Sequence, residues 1–186
     1  WNLKNYSCKK ILNGHVEGIL ELIKLNNSTI VSGGLENNLY VWNLNNYTHK
    51  VLYCHTNSIK SLLKVTNNRF ISSGDDYKLI LWDITINNPI YIVRNNMAPL
   101  PFHNTLAKMN DSIIANIGRK CISVYKIRNH RKTGHIIMDG SCFHHPHHQI
   151  KQVTNIIKLN KYIIIGSIID GVLITINLNP KPMKIK

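Results

Sequence analysis

The segment Cys142-Phe143-His144-His145-Pro146-His147-His148 places four imidazoles and one thiol within seven residues. Imidazole nitrogen and thiolate sulfur are the donors that zinc and copper take. Cys142, His144, His145, His147 and His148 are therefore a candidate metal site. Ligands so closely spaced in a loop make a poor preorganised tetrahedron, and a solvated His-rich insert explains the same composition without a metal. Imidazoles also titrate near neutral pH, so the run can act as a pH-sensitive contact. A second cluster is basic: Arg119, Lys120, Lys126, Arg128, Arg131 and Lys132, with His130 among them. These side chains offer donors to a nucleic-acid backbone. Tyr125 is the only aromatic residue within the cluster, which weakens a base-stacking role. The competing reading is a solvated basic edge that resists strand addition. Asp75-Asp76 is the one adjacent pair of carboxylates. Acid–base catalysis needs two separately tuned groups in a pocket, and no second group accompanies the pair. The chain carries no GxSxG, no HExxH and no phosphate-binding glycine-rich loop. An enzyme is not expected, nor a cofactor, nor a small-molecule substrate.

The elements that must position these groups come from a globular chain. It has 186 residues with 44% apolar content, enough for a sizeable core or part of a larger one. No run of 18 apolar residues is present, so no membrane partner is expected, and no signal peptide is visible. The first residue is Trp1, not Met, which suggests a segment of a longer protein. The 23 Lys and Arg exceed the 9 Asp and Glu, a formal charge of +14. A nucleic-acid partner is one explanation. The other is compositional: the chain is crowded with Asn, Ile, Lys and Tyr, whose codons are rich in A and U. The compositional reading is preferred, because basic charge marks nucleic-acid binding only when it clusters on one face. Cys8, Cys54, Cys121 and Cys142 are widely spaced with no CxxC pair, so they form neither a disulfide framework nor a zinc knuckle. Free thiols point to a reducing, intracellular setting, cytoplasmic or nuclear.

An internal repeat organises the chain. Aligning Trp42 with Trp82 brings His15 onto His55, Ile19 onto Ile59, Leu22 onto Leu62, Ile30 onto Phe70, Ser32 onto Ser72 and Gly34 onto Gly74 without a gap. Leu39 then falls on Leu79 and Val41 on Leu81. Trp1 lies 41 residues before Trp42, Trp82 lies 40 after it, and Tyr125 lies 43 after Trp82. Each unit divides into short strand signals separated by turns. In the second unit these are Ser58–Val65, Arg69–Ser73, Lys78–Ile84 and Pro89–Val93.

A period of about 40 residues with Gly-His near one end and Trp-Asp at the other resembles the WD40-repeat family. The resemblance is carried by Gly14-His15, by Ser32-Gly33-Gly34 through Trp42-Asn43, and by Ser72-Ser73-Gly74-Asp75-Asp76 through Trp82-Asp83. It then fades. Tyr125-Lys126 replaces Trp-Asp, and Met97-Ala98-Pro99 stands where Gly-His belongs. In the last unit Ile156 aligns with Leu62, Ile163 with Ile71, Gly166 with Gly74 and Ile176 with Trp82. Gly134-His135 is a decoy, expected in an outer strand.

The resemblance implies an all-β fold, a β-propeller of four-stranded antiparallel blades, with about four blades present as part of a larger ring. Closure of the four alone is the less favoured alternative. The expected units are 1–12, the tail of a preceding blade with Cys8–Leu12 as its outer strand; 13–54 and 55–95, two regular blades; and 96–138 and 139–186, two degenerate ones. The His-rich run would lie in the loop between the last two, and Lys181–Lys186 would begin another outer strand. The resemblance further implies a structural hydrogen-bond network in each regular unit. One comprises His55, Ser72, Asp76 and Trp82. The other comprises His15, Ser32, Glu36 and Trp42, with Glu where Asp is usual. The function it implies is a protein–protein interaction scaffold in a multi-subunit complex, engaging other proteins through propeller faces. The alternative is a basic propeller binding RNA or ribonucleoprotein.

Overall fold

A computed structural model describes residues 2–86, 88–94, 105–110, 112–117, 121–129, 136–144, 153–158, 163–168 and 173–177, with side chains described over 2–86, 88–93, 106–108, 112–115 and 124–128. Blade 1 consists of β1 (Ile19–Lys24), β2 (Thr29–Gly34), β3 (Asn38–Asn43) and β4 (Thr48–Tyr53). Blade 2 consists of β5 (Ile59–Lys64), β6 (Arg69–Gly74), β7 (Lys78–Asp83) and β8 (Pro89–Arg94). Blade 3 consists of β9 (Thr105–Asn110), β10 (Ile113–Ile117), β11 (Cys121–Asn129) and β12 (Ile136–His144). The last sheet, blade 4, contains β13 (Val153–Lys158), β14 (Ile163–Ile168) and β15 (Leu173–Asn177). Every sheet is an antiparallel meander in sequence order. This is the architecture of propeller blades, each a local meander joined to its neighbour by one short connection.

Blades 1 and 2 share one register, offset by 40 residues. Ile19 pairs with Gly34 and Ile59 with Gly74, and a bulge follows each pair at the same place. A bulge at a fixed register position bends the strand and increases its twist. The close turn after each pair needs a residue without Cβ. A methyl at Gly34 would overlap the Gly18 carbonyl oxygen, and one at Gly74 would stand 2.8 Å from the Ser58 oxygen.

The blades pack face on face, so the central strands read as continuous apolar runs. In β7, Ile80 and Trp82 join Phe70 in a cluster with Val31, Leu39 and Val41 of blade 1. The alternate residues Leu79 and Leu81 join Ile71 in a second cluster with Leu106, Ile114 and Tyr125 of blade 3. Alternation along a strand thus assigns one side chain to the preceding blade and the next to the following blade. Each large apolar side chain so enclosed contributes about 1.5–3 kcal/mol. The face of a blade towards its predecessor is called leading here, and the opposite face trailing.

Three expectations are corrected: the end of blade 3, the place of Cys142 and His144, and the register of blade 4. Blade 3 runs past residue 138, because β12 pairs with β11 along nine residues, from Asn129↔Ile136 to Cys121↔His144. Cys142 and His144 therefore lie on β12, opposite Ser123 and Cys121, and not in an inter-blade loop. A backbone ladder depends on N–H and C=O groups, so a polar composition does not end it. Cys8–Leu12, expected as the outer strand of a preceding blade, pairs with no strand among the described residues. Near it the backbone makes only an isolated bridge between Asn2 and Ser7. In blade 4 the register places Gly166 opposite Ile156, the position of Ser72 opposite Leu62, and not that of Gly74. Ile163, paired with Asn177, takes the place of Arg69, paired with Asp83, and not that of Ile71. The sequence alignment had matched glycine to glycine and slipped by two residues. Among the described residues blade 4 contains three strands. Met97-Ala98-Pro99, Gly134-His135 and Lys181–Lys186 lie outside the described residues.

Candidate functional site

Blade 2 brings His55, Ser72, Asp76 and Trp82 together. Ser72 lies on β6 and Trp82 on β7, both on the leading face. His55 lies in the connection from β4 to β5, and Asp76 lies in the turn between β6 and β7. Trp82 Nε1 donates to Ser72 Oγ at 2.8 Å. Ser72 Oγ lies 2.7 Å from His55 Nε2, and His55 Nδ1 lies 2.8 Å from Asp76 Oδ1. With the serine oxygen already accepting from Trp82, one assignment satisfies every donor: Ser72 O–H donates to Nε2, and Nδ1–H donates to the carboxylate. The second carboxylate oxygen accepts from the Thr56 backbone N–H at 2.9 Å and faces Lys78 Nζ at 3.4 Å. Burial by itself raises the Asp76 carboxyl. The hydrogen bond from His55, helped by the Thr56 and Lys78 backbone N–H groups, outweighs it and holds the group below the usual aspartate range.

Serine, imidazole and carboxylate stand here in the order of a hydrolytic triad. The chemistry is nevertheless closed. Ser72 is fully buried, its oxygen is occupied by an indole N–H, and the His55 and Asp76 side chains are almost wholly enclosed. A nucleophile needs a face open to substrate, and this hydroxyl has none. The network instead ties an inter-blade connection to a turn and to two strands of one sheet.

Blade 1 brings His15, Ser32, Glu36 and Trp42 together in the same manner. Trp42 Nε1 donates to Ser32 Oγ at 2.8 Å, Ser32 Oγ lies 2.6 Å from His15 Nε2, and His15 Nδ1 meets Glu36 Oε1. The longer Glu side chain reaches the histidine and carries its second oxygen 3.4 Å from Tyr40 OH. Blade 2 has Ile80 at the Tyr40 position. Burial raises the Tyr40 phenol above its usual value, and the neighbouring Glu36 charge adds to the rise. Tyr40 also stacks on Trp42 at 5.7 Å between ring centroids, lies 4.0 Å from His15, and shares a ring cluster with His49, which is 4.6 Å from Trp42. The sequence reading missed Tyr40 and His49. Tyr40 stands two residues before Trp42, hence on the same strand face, and that spacing could have found it.

In blades 3 and 4 the register shows what replaces the network. Asn116 and Gly166 occupy the serine position, and Tyr125 and Ile176 the tryptophan position. Neither pair can rebuild an indole–hydroxyl bond.

Lys126 and Arg128 are exposed and lie two residues apart on β11. Arg119, Lys120, Arg131 and Lys132 lie outside the described residues. So do His145, His147 and His148, while Cys142 and His144 are placed by backbone alone. Among the described residues no group of three or more His, Cys, Asp or Glu side chains is arranged to hold a metal, and no helix is long and apolar enough to cross a membrane.

The model of the WD domain, G-beta repeat family matches residues 46–83, from β4 of blade 1 through β7 of blade 2. Residues 46–83 carry a WD40 repeat. Solved structures share its fold at low identity. The WD40 β-propeller domain of Doa1 is 12% identical with a TM-score of 0.70, over 91% of this chain and 54% of that one. The RRP9 WD40 repeats are 16% identical with a TM-score of 0.71, over 90% and 52%. The computationally designed Ika4 protein is 19% identical with a TM-score of 0.68, over 90% and 96%. No curated protein matches the sequence. The chain spans about half the length of the Doa1 and RRP9 propellers. WD40 propellers serve in general as interaction scaffolds.

Proposed function

We propose that this WD40 chain is a protein-interaction scaffold within a multi-subunit complex. The observation that carries the reading is how the network presents the loop it holds. His55 is buried against Asp76, yet its neighbours Tyr53, Thr56 and Asn57 are exposed, Tyr53 at 72%. A rigid backbone offering an exposed aromatic ring and small polar side chains suits protein recognition, because little ordering entropy is lost on binding. The test is affinity capture of partners from cell extract on the immobilised chain, compared with a Tyr53→Ala/Asn57→Ala variant of unchanged melting temperature. Proteins held by the wild type and released by the variant support the reading. An identical set on both, or nothing above the bare matrix, overturns it.

A second reading, a basic propeller that binds RNA, is favoured by Lys126 and Arg128, exposed side by side on β11. Generic labelled RNA titrated at several salt concentrations tests it. Sub-micromolar binding with a steep salt slope supports a phosphate footprint, and binding that vanishes at physiological salt assigns the +14 charge to composition.

A further inference from the structure

The first strand of every blade carries a lysine near its end. Register sets Lys24 of β1 opposite Ile30, Lys64 of β5 opposite Phe70, Lys108 of β9 opposite Ile114 and Lys158 of β13 opposite Ile164. The signature side chains do not persist in this way. The network serine and tryptophan give way to Asn116 and Tyr125 in blade 3, and to Gly166 and Ile176 in blade 4. The lysine therefore outlasts the residues that tie the regular blades together. None of the four belongs to the basic stretch from Arg119 to Lys132.

The bonds these lysines make show where the charge stands. The first strands pack side by side, β1 on β5, β5 on β9 and β9 on β13, so their ends lie around the propeller axis. Lys64 Nζ donates to the backbone oxygen of Leu25, the residue after Lys24, and to Asn67 Oδ1 at 3.0 Å. Lys108 Nζ reaches the backbone oxygen of Val65, the residue after Lys64, at 3.4 Å. Each ammonium is thus drawn to the end of the preceding strand, and successive positive charges stand along one arc. A carbonyl oxygen takes one of the three ammonium donors and leaves the charge in place. Lys64 forms no ion pair among the described residues, whereas at the other end of blade 2 Lys60 faces Asp75 at 3.2 Å and Lys78 faces Asp76 at 3.4 Å. At the lysine end, the carboxylate of Asp83 that pairs with Arg69 in blade 2 is replaced in blade 3 by Lys126, which holds the same register position.

We propose that Lys24, Lys64 and Lys108, with Lys158 in register beside them, form an axial anion site for a compact molecule carrying several phosphate groups, at the end of the propeller opposite the His55–Asp76 network. An ammonium is a point charge on a flexible stem and suits phosphate oxygens approached from different sides. Like charges gathered around one axis concentrate the field there and favour a multivalent anion over a simple counter-ion. The Leu25 and Val65 carbonyls and the Asn67 amide fix where the ammoniums stand, which lowers the ordering cost of binding. The site is separate from the loop surface around Tyr53, so either can fail without the other.

Calorimetric titration of the chain with inorganic tripolyphosphate and, separately, with inositol hexakisphosphate at physiological salt tests this site. The expected result is one molecule bound per chain, weakened at least about tenfold by Lys64→Gln and by Lys108→Gln and unchanged by Lys60→Gln at the opposite end. The tighter of the two probes tells whether the phosphates are taken from a chain or from a ring. Because Lys64→Gln also removes the bond to Leu25, melting temperatures with and without the probe separate the two effects. The wild type should gain stability on saturation, and Lys64→Gln should lose that gain whatever its starting value. No binding to the wild type, equal weakening by Lys60→Gln, or a gain kept in full by Lys64→Gln each overturns the proposal and leaves the lysines as clasps between blades. Single-stranded RNA that binds more tightly per phosphate than either probe, with the same dependence on Lys64 and Lys108, overturns the compact ligand.

Discussion

Trp82 Nε1 donates to Ser72 Oγ at 2.8 Å, and forty residues earlier Trp42 makes the same bond to Ser32 at the same length. The repeat therefore preserves a three-dimensional arrangement as well as residue types. A hydroxyl takes an indole proton on one side and gives its own proton to an imidazole on the other. Each member is buried, so each depends on the rest for its hydrogen bond.

Removing the imidazole should expose that dependence. His55→Ala leaves the Ser72 hydroxyl without an acceptor and Asp76 without its main donor, both enclosed. A loss of about 1–3 kcal/mol is expected, the cost of an orphaned buried polar group. Thermal or urea unfolding of His55→Ala, Ser72→Ala and the double variant measures it. The double variant should lose less than the sum of the singles, because both report on one network. Unchanged stability in His55→Ala sinks the assignment.

Acid should attack the same site. The Asp76 carboxyl is held below its usual range when folded. Its contribution is present above the unfolded value of about 4 and is lost as pH falls through the lower folded value. Asp83 behaves alike: burial raises it, while the Thr85 and Arg69 hydrogen bonds more than compensate. Stability should decline steadily below about pH 4, and less steeply in Asp76→Asn. A variant whose acid limb overlays that of the wild type contradicts the linkage.

The two turn glycines are not equivalent. A methyl at Gly34 overlaps the Gly18 backbone oxygen, whereas one at Gly74 meets the Ser58 oxygen at 2.8 Å. Both oxygens also accept hydrogen bonds, from Leu35 N at 2.8 Å and from Asp75 N at 2.9 Å. Relief in either case must displace a backbone bond. Gly34→Ala should cost about 1–3 kcal/mol, as overpacking generally does, and more than Gly74→Ala. Equal melting temperatures for the two variants, or the reverse order, would count against this geometry.

The two regular blades were readable in the sequence because their polar signature residues stand at fixed intervals, and a hydrogen bond tolerates little variation in spacing. Both quartets that the resemblance assigned come together in the fold. Blades 3 and 4 were read less well for the same reason. Without the signature side chains, only apolar alternation remains, and alternation looks the same after a slip of two residues. Gly166 was therefore set on Gly74, although the ladder sets it on Ser72. The repeat alignment set the His-rich run in the loop between blades 3 and 4, yet its first residues extend β12, since pairing is decided by the backbone. Tyr40 escaped notice although its spacing from Trp42 on one strand marks it. His49 lies outside the motif stretch, and its part in the Trp42 ring cluster is visible only once β3 and β4 are paired, Trp42 opposite His49.

Tyr40 is where blade 1 departs most from blade 2, and it yields a prediction with two separable readouts. Its hydroxyl donates to Glu36 Oε2 at 3.4 Å, a long bond worth about 0.5 kcal/mol, at the low end for a neutral donor. Tyr40→Phe keeps the ring stacked on Trp42 and removes only the hydroxyl, so at neutral pH its stability should fall by about that amount. At alkaline pH the order changes. The Tyr40 phenol is raised in the folded state by burial and by Glu36. Its stabilising contribution is complete below the unfolded value of about 10 and is lost as pH rises through the higher folded value. The wild type should therefore lose stability above about pH 10 more steeply than Tyr40→Phe, and the two unfolding curves should converge. Parallel curves for wild type and variant across that range would show that neither burial nor Glu36 raises the phenol in the folded state.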